Sequence, residues 1–117
     1  MAFDTLTVAL ELARELRGPL EQLQRCDRNL ADQIRRAASS IALNVSEARR
    51  REGKDRAHLF RVAAGSAAEV RTALDVAEAW GYIESAALDG ARALLDRQLA
   101  LLWRLTHPRA EAISERG

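Results

Sequence analysis

Two groups of side chains in this 117-residue sequence have the types and spacing to do chemistry. Gln33, Arg36, Ser40, Asn44 and Glu47 recur at steps of three and four. At about 100° per residue, such steps draw a continuous polar row along one side of a helix, flanking its core face. Glu69 stands seven residues from Val62 and from Val76. Those apolar neighbours predict a partly buried face for Glu69, and a carboxylate so placed needs a partner. Arg35, Arg36 or Arg71 could supply it. One reading of this set is a polar pocket between helices that takes a small ligand. The other is a hydrogen-bond and ion-pair network that fixes helix register or meets another subunit. Polar residues inside a helical interface set partner geometry more often than they do chemistry, which favours the network.

The second group is cationic. Arg49, Arg50, Arg51, Lys54 and Arg56 crowd into eight positions. Such a cluster can contact phosphates of RNA or DNA. The competing reading is a solvated turn, with arginines favoured near a helix C-terminus. No aromatic residues are interleaved for base stacking, so sequence-specific reading of a single strand is not expected. The formal net charge is only +1, yet the span from Arg25 to Arg61 carries ten Arg/Lys against five Asp/Glu. Local basic surface attracts polyanions even when global charge does not.

Other chemistry finds little support. A thiol nucleophile needs a partner base. Cys26 is the only cysteine and His58 and His107 are the only histidines. Cys26 reads as a half-buried thiol near a helix start, and His58 as a surface residue near another. A di-iron bundle needs Glu-x-x-His on two helices, but Asp55 and Arg104 stand three before the two histidines. There is no Gly-rich phosphate loop and no HExxH or CxxC spacing. The expectation is a non-enzymatic protein with no cofactor, no metal and no small-molecule substrate. Trp80 and Trp103 read as core or subunit-contact anchors rather than ligand stackers.

The elements that must position these groups are helices. The sequence is 48% apolar and 30% charged, which suits a folded chain. Only 4% is aromatic, and good helix formers dominate. A first helix is expected from Asp4 or Thr5 to about Arg17, where Gly18-Pro19 interrupts it, with a short extension through Leu20 and Leu23 that could resume the pattern. A second should run from about Asp27 to Arg50, with Leu30, Ile34, Ala37, Ile41, Val45 and Ala48 as its apolar stripe and Gly53 as its stop. A third spans about Lys54 to Ala79. Its interior Gly65 costs about 1 kcal/mol relative to alanine, and close approach to another helix would justify it. After a break at Gly81-Tyr82-Ile83, Ser85 caps a fourth helix that runs to about Thr106. Four amphipathic helices with short connections bury their stripes best as an all-α, antiparallel up-down-up-down four-helix bundle. Helices two and three should be the longest. The bundle is expected to occupy residues 1–107, and 108–117 to form a polar, frayed tail. No stretch resembles a signal peptide or a membrane span, so a cytoplasmic location is expected.

Three stretches carry a family resemblance. They are Leu30 to Glu47 (LADQIRRAASSIALNVSE), Ala64 to Leu74 (AGSAAEVRTAL) and Gly81-Tyr82-Ile83. Together they resemble the bacterial four-helix-bundle proteins named after intervening sequences of 23S ribosomal RNA genes. That family includes the accessory variability determinant of diversity-generating retroelements. The resemblance covers nearly the whole chain up to about Thr106. It implies a bundle that assembles into a ring-like homopentamer, and a role in binding RNA or DNA. The sequence departs in two respects. Ala48 stands where the family commonly has glycine, and the net charge of +1 is lower than that of a dedicated nucleic-acid binder. In a pentamer the polar row could be satisfied across an interface, and a ring would concentrate five copies of the arginine turn.

Overall fold

The structure is a computed structural model that describes residues 2–107, with side chains from Asp4 onward. The expected tail, 108–117, lies outside the described residues. The elements are α1 (Ala2–Cys26), α2 (Arg28–Ala48), α3 (Gly53–Ala79), a short 3-10 turn (Ser85–Leu88) and α4 (Asp89–Thr106). The packed pairs are α1 with α2, α2 with α3, α3 with α4, and α4 with α1. That cycle, joined by short connections, is the antiparallel four-helix bundle.

The connections follow from local chemistry. A single residue, Asp27, separates α1 from α2. Its backbone is extended and its carboxylate accepts from the Leu30 N–H at 3.0 Å, as an N-cap should. At the end of α3, Gly81 takes φ +79°. The Gly81 N–H donates to Glu78 O at 2.9 Å and the Tyr82 N–H to Ala77 O at 3.0 Å. This is a Schellman stop, which glycine makes at no steric cost. Gln22 Nε2 then ties the loop to α1 by donating to Tyr82 O at 3.1 Å.

Four boundaries differ from the sequence reading. Pro19 does not end α1 but sits inside it, so the helix runs for 25 residues. Leu16, Leu20 and Leu23 are all buried, and their burial holds the helix together through the residue that should break it. α1 and α3 are therefore the longest helices, not α2 and α3. α2 stops at Ala48, and Gly53, with φ +58°, opens α3 rather than closing α2. Ser85 starts the 3-10 turn, and α4 proper begins at Asp89.

The core is built from leucine, isoleucine, valine and alanine of all four helices, with Phe60 its largest side chain. Ion pairs align the rims. Arg92 of α4 reaches Asp75 at 2.9 Å and Glu78 at 2.7 Å on α3. The hydrogen bond to Asp75 holds the Arg92 guanidinium above its ordinary value, against the partial burial that lowers it, and Glu78 adds in the same direction. This pair of contacts bridges α3 and α4 at the surface.

Candidate functional site

The polar row of α2 lies where its spacing placed it, along the flank facing α3. Asn44 Nδ2 donates to Ser40 O at 2.8 Å and to Ser40 Oγ at 3.0 Å. The Ser66 hydroxyl of α3 donates to Ser40 Oγ at 2.9 Å. Glu47 pairs with Arg51 one turn on, at 2.9 Å. Asn44, Ser40 and Ser66 thus form a small network that latches α2 to α3. Gln33 and Arg36 lie exposed beyond it.

Glu69 does not join this network. It is exposed rather than partly buried, because the face it shares with Val62 and Val76 is turned outward. Arg71, two residues on, points about 200° away around α3 and is also exposed, so the two cannot pair. The groove beside α2 is a shallow surface depression lined by Arg35, Arg36, Ser39, Ser40, Leu43 and Asn44. It encloses nothing. A ligand pocket buries most of its ligand, and this arrangement does not. Among the described residues, no group of His, Cys, Asp and Glu is placed to hold a metal ion.

The arginine cluster occupies the turn between α2 and α3. Arg49 caps α2, and Arg50 and Arg51 continue the chain beyond it, with N–H groups bonded to Glu47 O and Ala48 O. Arg49, Arg50, Arg51 and Lys54 are exposed. Arg56 is half-buried because its guanidinium lies over the Phe60 ring, 5.5 Å from the centroid. Of these five cations only Arg51 has an ion pair among the described residues. The arrangement presents several unneutralised cations at one end of the bundle. The antiparallel order brings the last turn of α4 to the same end, adding the exposed Arg104.

Two features escaped the sequence reading. Neither tryptophan is in the core: Trp80 is 69% exposed and Trp103 is 49% exposed. Trp80 packs against Tyr82 with ring centroids 6.4 Å apart, and Trp103 stacks on His107 at 4.3 Å. Trp80 is the C-cap of α3, and Trp103 falls on a flank of α4, where the spacing of the buried leucines Leu95 and Leu102 contained that signal. The second feature is a strip of exposed apolar side chains, interrupted by the exposed Glu69. Leu43 of α2 is 69% exposed, and Val62 and Val76 of α3 lie exposed on the flank that also carries Gly65 and Trp80. A Cβ added at Gly65 would meet nothing within 4 Å, so no helix of this chain approaches it closely. Cys26 is exposed at the end of α1, not half-buried at a helix start. His58 is on the surface as expected. No described helix is long and apolar enough to cross a membrane.

Comparison with known proteins agrees with this architecture. The family model described as 23S rRNA-intervening sequence protein matches residues 3–104. A crystal structure of a protein with unknown function from the S23 ribosomal protein family of Bacteroides thetaiotaomicron superposes with a TM-score of 0.78. The two chains are 20% identical, and the match covers 88% of this chain and 98% of that one. At that identity the likeness bears on the fold alone. No curated protein matches the chain.

Proposed function

The chain belongs to the 23S rRNA-intervening sequence protein family, and on that premise we propose that it is a non-enzymatic, homo-oligomeric bundle that associates with nucleic acid as a cytoplasmic accessory protein. The observation that carries the reading is the α2–α3 turn, where Arg49, Arg50, Lys54 and Arg56 have no carboxylate partner among the described residues. Cations left unneutralised at one end of a compact bundle are disposed to displace counterions from a phosphate backbone. The assembly is a homopentamer in this reading. Its support is the outward strip of Leu43, Val62, Val76 and Trp80, which a lone bundle leaves in water. A ring of heterologous contacts would bury that strip and set five basic turns around one axis.

The test is a titration with RNA and with DNA across a range of salt. Binding should weaken linearly on a logarithmic plot, by nearly one power of salt for each phosphate contacted on a duplex. Absence of binding at low salt sinks the nucleic-acid part. Native mass measurement tests the assembly, and a monomer at micromolar concentration sinks the pentamer. The same apolar strip also suits a scaffold that binds a protein partner and no nucleic acid. In that case replacing Arg49, Arg50 and Arg51 with alanine should leave partner capture unchanged, and capture should survive nuclease treatment.

A further inference from the structure

We propose that Trp103 and His107 form a stacking platform for an unpaired base, so that the nucleic acid this protein prefers is single-stranded; the inference rests on the nucleic-acid reading above. No aromatic residue is interleaved among the arginines of the α2–α3 turn. The fold supplies one. Trp103 sits in the last turns of α4, at the bundle end that carries the α2–α3 turn, and half of its surface is left in water.

The ring pair is held in place before any ligand arrives. The indole and imidazole planes are 10° apart with centroids at 4.3 Å. His107 Nδ1 lies 2.9 Å from Trp103 O and 3.0 Å from Thr106 Oγ1. A carbonyl only accepts, so Nδ1 is the donor in the contact with Trp103 O. The Thr106 hydroxyl is itself anchored on Leu102 O at 3.0 Å and Trp103 O at 3.1 Å. Two flat rings fixed in parallel offer a π-face that a third ring extends without further ordering.

The platform lies in the same half of the bundle as the cations. Arg92 contacts Asp75, which marks how α4 is aligned with α3. Trp103 is eleven residues further along α4, about 16 Å, and only about 20° away around the helix. It therefore shares the α3-facing flank with Arg92, level with about Ala64. His107, one turn lower, is level with about Phe60, whose ring carries the Arg56 guanidinium. A strand whose phosphates follow Arg49, Arg50 and Arg56 would bring a base to the Trp103–His107 pair. Stacking of this kind takes any base but needs one that is not paired within a helix. The cationic surroundings match a polyanion and not an apolar peptide.

The experiment compares three probes of equal length: an unstructured RNA, the matching single-stranded DNA and a DNA duplex. Each is titrated against the full chain and against its Trp103→Ala, Trp103→Phe and Arg49→Ala/Arg50→Ala/Arg51→Ala variants. Trp103→Ala should weaken both single strands by about 5- to 150-fold, the range of one lost base stack. It should leave the duplex affinity and the salt dependence unchanged. Trp103→Phe, which keeps an aromatic face, should retain part of the single-strand affinity. It also shows that a loss in the alanine variant is not misfolding. The triple arginine variant should weaken all three probes and flatten the salt dependence. If the single strands bind and Trp103→Ala does not weaken them, or weakens the duplex equally, the platform is overturned while the basic turn stands. If no probe binds at low salt, both readings fall.

Discussion

Gln98 is fully buried in α4, and only half of its amide is satisfied. Nε2 donates to Thr5 O at 3.1 Å, while Oε1 has no partner among the described residues. The Thr5 carbonyl is also an α1 backbone acceptor, so losing the glutamine donor does not strand it. A buried unmade hydrogen bond costs about 1–3 kcal/mol, more than the one that is made returns. Gln98→Leu should therefore raise stability by about 1 kcal/mol, read as a melting temperature higher by roughly 3–6 °C. A fall on the same scale would mean that the amide is worth more whole than its single hydrogen bond to Thr5 suggests. Gln98 was visible in the sequence, since it follows Leu95 by three residues and precedes Leu102 by four. That spacing places it on the buried stripe, although the leucines alone mark that stripe in the sequence. Glu69 shows the opposite case: flanking valines predicted a buried carboxylate, and they are themselves exposed. Periodicity shows which residues share a face but not which way the face points, and for α3 the small core residues make the two sides hard to tell apart.

At the scale of elements, the two helix ends that have a stereochemical reason to exist were both legible. Asp27 caps α2, and Gly81 closes α3 with a left-handed turn. Of the boundaries that differ, the one at Pro19 rests on a cost. Pro19 removes an N–H and crowds the Glu15 carbonyl, at about 3 kcal/mol or more. α1 absorbs that because Leu12, Leu16, Leu20 and Leu23 on its inner face are all buried against the other helices. Local propensity is a weak prior when a whole stripe is buried. Pro19→Ala should restore the missing donor and stabilise the fold by about 1–3 kcal/mol, measured as a shift in the urea midpoint at unchanged slope. If stability stayed level or fell, the helix would have to be relieved of the proline in some other way, such as a local bend that α2 packing has come to require.

At the scale of the molecule, Gly65 separates a lone bundle from an assembled one. Close approach of another helix would justify it, yet nothing in the described chain comes within 4 Å of the missing Cβ. In a monomer the residue is then a simple liability, and Gly65→Ala should stabilise it by about 0.5–1 kcal/mol. In the proposed ring, Gly65 lies on the strip with Val62, Val76 and Trp80, and a neighbouring subunit could use the gap. The same substitution should then tighten the bundle and loosen the assembly. Thermal melts should show the first effect at low concentration, and native mass at micromolar concentration should show the second as dissociation. Leu43→Asp is the companion variant, because it places a charge on the strip without touching the core. It should leave helical content intact and release subunits. If both variants keep the parent's mass, the strip is not the contact and assembly must use another surface. If the parent itself is a monomer, alanine at 65 should simply make it more stable. Opposed shifts in stability and mass from one methyl group would be difficult to obtain unless a second chain approaches this face.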